Sequence, residues 1–184
     1  MGTPGLAFAR AGNIKDGFKF ANADFLHERS VALAGEKVSA PYDVVFTSKG
    51  TVGRYAFVDP NMERFVYSPQ LCFWRSLEHE QLDPFVLKQW IESPSFGEQV
   101  DRVKGQTDMA EYVSLRDQRR MTLPTFSVES QRRIRGPLAS AQRRVWHNVR
   151  ESATLAQLRD ALLPKLLSGE LSVKSAERIL EATA

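Results

Sequence analysis

The chain has 184 residues, 42% hydrophobic and 26% charged, with 25 Lys and Arg against 22 Asp and Glu for a formal net charge of +3. These proportions exclude a disordered or fibrous chain and leave room for one ordinary globular core plus one extended element. No apolar run approaches the roughly 18–20 residues that span a bilayer, and the amino terminus lacks the basic-then-apolar pattern of a secretory signal, so a soluble, cytoplasmic protein is expected.

Taken in chain order, Gly12-Asn13 and Asp16-Gly17 are turn-forming pairs that predict a loop and hairpin region over Ala11–Lys19. Asp-Val-Val-Phe-Thr-Ser from Asp43 to Ser48 and Arg-Tyr-Ala-Phe-Val from Arg54 to Val58 are β-rich runs. The glycine-bounded stretch Lys49–Gly53 between them predicts a strand, a turn and a returning strand. Arg64–Arg75 is β-rich again, and Ser68-Pro69 within it implies an edge or a bend. Asp83-Pro84 carries the cap and first-turn signals of a helix through Ile91; Ser93-Pro94 ends it, and a second short helical piece covers Phe96–Val103.

Lys104–Asp108 is polar with one glycine and predicts an exposed loop. Ser114 is placed to cap a short turn, and Met121–Pro124 is strand-like. The part up to about residue 126 therefore reads as a mixed α and β domain.

From Ser127 the pattern changes. Ile134, Leu138, Ala141, Val145, Val149, Leu155, Leu158 and Leu162 recur at spacings of three or four with one gap of six, which predicts one helix of about 35 residues and roughly 50 Å. Gly136-Pro137 is a weak point near its start, and Pro164 with Ser168-Gly169 breaks or ends it. A helix of that length cannot bury its stripe on so small a domain, so a partner helix is implied, with Asn148 and Ser152 at seam-like positions. Ala176, Ile179 and Leu180 suggest a short amphipathic tail. The predicted divisions are 1–126 for the domain, 127–167 for the helix and 168–184 for the tail.

Basic residues cluster between Arg102 and Arg150: Arg102, Lys104, Arg116, Arg119, Arg120, Arg132, Arg133, Arg135, Arg143, Arg144 and Arg150, against Asp108, Glu111, Asp117 and Glu129. Arginine suits phosphate and guanine recognition, although solvated helix faces account for many such positions.

Catalytic chemistry finds little support. A methyltransferase needs a glycine-rich cofactor loop and an Asn/Asp-Pro-Pro-aromatic motif, whereas Asp59-Pro60-Asn61 lacks the second proline and the aromatic residue. Asp101, Lys104 and Asp108 do not have the diagnostic spacing of a metal-dependent nuclease. The single cysteine, Cys72, excludes an internal disulfide framework and a multi-cysteine zinc site, and between Leu71 and Phe73 it reads as a small buried hydrophobe. His27, His79 and His147 have no metal-ligand spacing. Gly50 and Gly53 share the spacing of an RNA-clamping loop, but that loop joins helices and here strands flank it.

Several strings, in this order, resemble one family. Asp43–Arg54 is similar to the strand and Gly-Thr-Ile/Val-Gly-Arg signature of the specificity subunits of type I restriction-modification systems. Ser68–Cys72 resembles the strand that follows, Gly105–Met109 its polar loop, and Leu123-Pro124 with Glu129–Ile134 the entry to the conserved helix. Leu158–Leu171, containing Leu-Leu-Pro-Lys-Leu-Leu-Ser-Gly-Glu-Leu, resembles the end of that helix and is the most specific of the strings.

The resemblance implies an α+β target-recognition domain and a long spacer helix that packs antiparallel on a second copy or second half. It also implies double-stranded DNA and modification (methyltransferase) subunits as partners, S-adenosylmethionine in the modification subunit, and no cofactor, metal or catalysis in this chain. Such a subunit usually has two domains and two helices, so this chain is expected to be a half-subunit or a carboxy-terminal fragment. The family's domain commonly has more sequence before Arg10–Ile14, so a first element is expected to be missing. On this reading Lys49, Thr51 and Arg54 at the turn and Gln106 and Thr107 in the polar loop are candidate base contacts, with Lys104 and Arg116 as phosphate binders. Val145, Val149, Leu155, Leu158 and Leu162 are the candidate helix-pairing residues. The competing expectations are a helix-mediated assembly or inhibitory protein of the same ancestry without productive DNA binding, and an enzyme of unrecognised type.

Overall fold

The computed structural model describes residues 5–15, 17–106 and 111–172. Its strands are β1 (Ala7–Ala9), β2 (Val44–Thr47), β3 (Lys49–Gly50), β4 (Tyr55–Phe57), β5 (Phe65–Tyr67), β6 (Leu71–Trp74), β7 (Gly105–Gln106) and β8 (Glu111–Tyr112). Its helices are α1 (Glu28–Ala34), α2 (Pro84–Ile91), α3 (Pro94–Val103), α4 (Leu115–Gln118) and α5 (Val128–Leu167). The chain divides into two compact units, Met1–Leu138 and Ala139–Ala184, with the division inside α5.

In the first unit, every position from Asp43 to Ser48 is buried. β2 lacks apolar–polar alternation because both of its faces are covered. On one face Val45 packs with Ala9, Ile14, Phe65, Tyr67 and Leu71. On the other, Phe46 meets the edge of Phe96 with ring centroids 5.5 Å apart, beside the Trp74–Trp90 and Trp90–Phe96 pairs. Each such side chain contributes roughly 1.5–3 kcal/mol by leaving water.

β2 pairs antiparallel with β4, Val44 opposite Phe57 and Phe46 opposite Tyr55, as the strand–turn–strand reading requires. Its other edge takes β6, with Phe46 opposite Cys72. The predicted bend at Ser68-Pro69 makes the chain change sheets: β5 runs parallel to β1, and β6 joins β2. Ser68 N–H donates to the Ala9 carbonyl at 2.9 Å, and Leu71 N–H closes the turn onto the Ser68 carbonyl at 3.0 Å.

Capping follows the sequence signals. Asp83 accepts from Phe85 N–H at 2.9 Å with Pro84 in the first turn of α2. Ser93 does more than end a helix: its hydroxyl donates to the Trp90 carbonyl at 2.6 Å and accepts from Phe96 N–H, so it closes α2 and opens α3. α3 accordingly begins at Pro94, two residues before the predicted start.

Three local expectations are corrected. Lys104–Asp108 is not wholly loop, because Gly105 and Gln106 form β7 against β8; Thr107 and Asp108 lie outside the described residues. Met121–Pro124 is not a strand. Its backbone groups at Thr122 are satisfied by the Gln99 side chain, which accepts from Thr122 N–H at 2.7 Å and donates to its carbonyl at 3.0 Å. The long helix has 40 residues, about 60 Å at the usual rise, and runs through both Pro137 and Pro164. It ends at Leu167, before Ser168-Gly169 as expected, where the Gly169 φ of +74° allows a left-handed cap and Leu171 N–H reaches the Lys165 carbonyl at 3.0 Å. The predicted amphipathic tail at Ala176, Ile179 and Leu180 lies outside the described residues, as does Asp16 of the first predicted turn.

Within the first unit, the opening turns of α5 are fastened by side chains. Gln131, 4% exposed, accepts from Asp83 N–H at 2.8 Å and donates to the carbonyls of Gln81 and Phe126. Arg135 Nε sits 3.0 Å from the buried Asp83 carboxylate, and Arg132 pairs with Glu80 at 2.7 Å. The Arg132 guanidinium holds the Glu80 carboxyl below its ordinary range through that hydrogen bond and its charge. Among the described residues no helix is long and apolar enough to cross a membrane.

Candidate nucleic-acid interface

The turn that carries Lys49, Thr51 and Arg54 is shaped by one buried residue that sequence reasoning passed over. Thr47 is fully buried, and its hydroxyl donates to the Thr51 carbonyl at 2.5 Å and accepts from Arg54 N–H at 3.0 Å. Its backbone N–H reaches the Arg54 carbonyl at 2.8 Å, and its carbonyl accepts from Gly53 N–H at 3.2 Å. Gly50 and Gly53 have φ of +88° and +97°, a region that L side chains rarely adopt, so the turn needs glycine at both positions. The result is a fixed loop on which Lys49, Thr51 and Arg54 are all exposed.

The second predicted loop meets the first through a ribbon of order β3-β8-β7. Lys49, Tyr112 and Gly105 form one cross-strand row, and Gly50, Glu111 and Gln106 the next. The backbones of Lys49 and Gln106 are therefore two strand spacings apart, about 10 Å. Thr107 lies outside the described residues. Arg116 is exposed on α4, which Ser114 caps by accepting from Asp117 N–H at 3.1 Å, and Arg119 and Arg120 follow it on the surface.

The cations of this face differ in how their charge is used. Lys104 Nζ stands 3.3 Å from Glu111 and 3.5 Å from Asp101, and the hydrogen bond and charge of Glu111 push its ammonium above the ordinary lysine range. No ion pair among the described residues engages Lys49, Arg54, Arg116 or Arg119. Lys104 therefore serves first to hold β7 and β8 together, while the other four present charge that no described residue compensates.

Beneath the sheet lies a polar cluster whose partners are far apart in sequence. Asp43, fully buried, accepts from Arg75 Nε and Nη2 at 2.6 and 2.7 Å, the Tyr67 hydroxyl at 2.8 Å and Ala40 N–H at 2.9 Å. Burial first, then the Asp43 charge and hydrogen bond, raise the Tyr67 hydroxyl far above the ordinary tyrosine range. The Arg75 guanidinium, raised mainly by its hydrogen bond to Asp43, also donates to the Val38 carbonyl and lies over the Phe73 ring at 4.9 Å. The cluster occupies both Asp43 oxygens and ties the start of β2 to β5 and to the end of β6. Cys72, half-buried rather than fully buried, accepts from the Gln118 amide at 3.2 Å. Among the described residues no group of His, Cys, Asp or Glu is placed to hold a metal ion.

In the second unit, Val145, Val149, Leu155, Leu158, Leu162, Leu163 and Leu166 are between 38% and 58% exposed, and Leu167 is 80% exposed. At about 100° per residue on a straight helix, Val145 and Val149 share one face, and Leu155, Leu158 and Leu162 centre about 120° around from it. The gap of six between Val149 and Leu155 thus divides the predicted single stripe into two patches.

No protein-family model matches the chain, and no curated protein matches it. Solved structures do. A chain from a structure on complex assembly and conformational transition of the type I R-M system aligns with TM-score 0.50 and 20% identity, over 92% of this chain and 40% of that one. The type I restriction-modification system S subunit from M. genitalium aligns with TM-score 0.56 and 16% identity, over 89% and 42%. The HsdS subunit from Thermoanaerobacter tengcongensis aligns with TM-score 0.54 and 20% identity, over 90% and 43%. The chain shares the fold of type I specificity subunits and spans about two fifths of their length.

Proposed function

We propose that this chain is a DNA-recognition module of a type I restriction-modification system, reading one half of a split target and directing modification subunits to it. The observation that carries the reading is the uncompensated basic turn, Lys49 with Arg54, fixed by Thr47 on a domain with the fold of type I specificity subunits. Phosphate contacts from Arg116 and Lys104 would set the domain's register on the duplex. Lys49, Thr51, Arg54, Gln106 and Thr107 would meet base edges in the major groove, where lysine and arginine pair guanine and glutamine pairs adenine.

The helix supplies the second half of the reading. A 40-residue helix whose leucines are exposed gains from pairing with another copy or another half through Val145, Val149, Leu155, Leu158 and Leu162. Two antiparallel helices would hold two recognition domains at a set separation, turning helix length into spacer length in the DNA. The chain itself would perform no catalysis and work in the cytoplasm; methyl transfer, with S-adenosylmethionine, would belong to the modification subunits.

The exposed leucine patches also favour a second reading, a helix-mediated assembly or inhibitory half-subunit that does not bind DNA productively. Co-expression with the modification subunits, followed by mapping of methylated adenines, separates the two. A symmetric split motif supports recognition by paired copies, whereas association with those subunits without any methylated motif supports the second reading.

A further inference from the structure

A cleft of about 1380 Å³ opens beside the β3-β8-β7 ribbon, and the composition of its walls is uneven. Lys37, Lys49 and Arg119 line it against a single acidic residue, Glu36, and none of the three cations has an ion pair among the described residues. The wall between them is aromatic. Tyr112, 41% exposed and directly across from Lys49, lines the cleft with the phenol end of its ring lying on Gly105. A Cβ at Gly105 would stand 2.8 Å from Tyr112 Cζ, so glycine is what allows the ring to lie there.

The floor is polar and incompletely used. Gln118, 7% exposed, spends its amide nitrogen on Cys72 Sγ and the Val113 carbonyl, both at 3.2 Å, but its amide oxygen receives only a long 3.5 Å hydrogen bond from Trp74 Nε1. The Ser68 hydroxyl, in a residue 4% exposed, has no hydrogen-bond partner among the described groups. A buried polar atom without a partner is costly and marks a place where a partner is missing.

An aromatic wall, cations without an ion pair among the described residues, and polar atoms at the floor match the ring face of a base, its phosphates and the polar edge of the base. Stacking takes the ring face of a base, and cations take the phosphates. The volume exceeds the roughly 300–1,000 Å³ of ordinary small-ligand pockets, which favours a strand over a free mononucleotide. We propose that this cleft takes an unstacked base of a nucleic-acid strand against Tyr112, with Lys37, Lys49 and Arg119 on the flanking phosphates and Gln118 and Ser68 facing the base's polar edge. This goes beyond loop reading of an intact duplex, and rests on the DNA-recognition reading only for the source of the strand.

The test uses the full chain and fluorescence anisotropy with three labelled probes: a 12-nucleotide single strand, the matching duplex, and a nucleoside monophosphate. Wild type should bind the single strand, and Tyr112→Ala should weaken that binding roughly tenfold or more while Tyr112→Phe stays near wild type. Gly105→Ala, which displaces the ring, should fall with Tyr112→Ala. Lys49→Ala and Arg119→Ala should each flatten the salt dependence by about 0.7 in the logarithmic slope, which Tyr112→Ala leaves unchanged. Equal affinity of wild type and Tyr112→Ala for the single strand would overturn the proposal, as would binding of the monophosphate as tightly as the strand. Adenine methylation at a split motif by a wild-type chain that shows no single-strand binding would overturn the cleft assignment and leave duplex recognition standing. Absence of all nucleic-acid binding, with and without modification subunits, would remove both.

Discussion

The two units of the chain put their apolar residues to opposite uses. In the first, Val44, Val45 and Phe46 are wholly buried between an aromatic helix layer and a second sheet. In the second, Val145, Val149 and Leu158 are each about half exposed on a helix of ordinary polar composition. The difference teaches where each unit finds its stability. The globular unit closes its own core, whereas the helix leaves apolar side chains exposed, which the proposed helix pairing would cover. It also separates the two halves of the functional reading, since the turn can be altered without touching the helix.

The largest effect should come from the buried cluster of the globular unit. Asp43→Ala removes the partner of Arg75, Tyr67 and Ala40 N–H at once, and breaking one side of a buried ion pair costs about 3–5 kcal/mol. Urea unfolding should show that loss in the domain transition. If the domain's stability were instead set by helix pairing, the transition would depend on protein concentration and Asp43→Ala would move it little.

A smaller effect, on association alone, should follow from Leu155→Ala. Its side chain is 58% exposed, so the isolated chain should unfold at nearly the wild-type midpoint. In a paired helix the truncation should cost about 2 kcal/mol, or roughly thirtyfold in the dissociation constant by sedimentation equilibrium. Wild type that stays strictly monomeric at high concentration by light scattering would break the comparison, because the leucine patches would then have no partner of their own kind.

Local signals made much of the fold readable. Asp83-Pro84 states a helix start by cap chemistry, whereas Ser93-Pro94 is legible only as a helix end although it also opens α3, and the glycines of Lys49–Gly53 state a turn by their φ requirements. The β-branched and aromatic residues of β2, Val44, Val45, Phe46 and Thr47, state a strand, and the lack of alternation fits one covered on both faces. What stayed hidden is whatever depends on two distant segments meeting. Asp43, Tyr67 and Arg75 are unremarkable until the sheet brings them together, and Gln99 reaching Thr122 replaces a strand with a side-chain clasp. Tyr112 on Gly105 is equally long in waiting, since neither residue has a local motif. The same holds for α5. Its prolines argued for breaks, yet the fastening of its first turns by Gln131 and Arg135 to Asp83 is invisible in the pattern of the helix alone.

Thr47→Val offers the finest test of the division between the units, because it acts on the turn through an atom that no ligand would touch. Valine keeps the shape and the β preference of threonine, so the core around β2 should remain filled. It removes one donor and one acceptor: the Thr51 carbonyl loses its 2.5 Å partner and Arg54 N–H its 3.0 Å partner. Since both orphaned groups lie on an exposed turn that water can reach, the cost should fall near the lower end of the roughly 1–3 kcal/mol for an unmade hydrogen bond. Backbone bonds from Thr47 to Gly53 and Arg54 remain, so the hairpin should stay paired and amide exchange should quicken only over Lys49–Arg54. DNA affinity of the assembled complex should then drop a few-fold with the salt slope unchanged, because the cations are still present but less well positioned. Helix association should not move at all. A change in the dissociation constant of the helix pair would mean that the turn and the helix are coupled, and that the two units cannot be treated as separate parts.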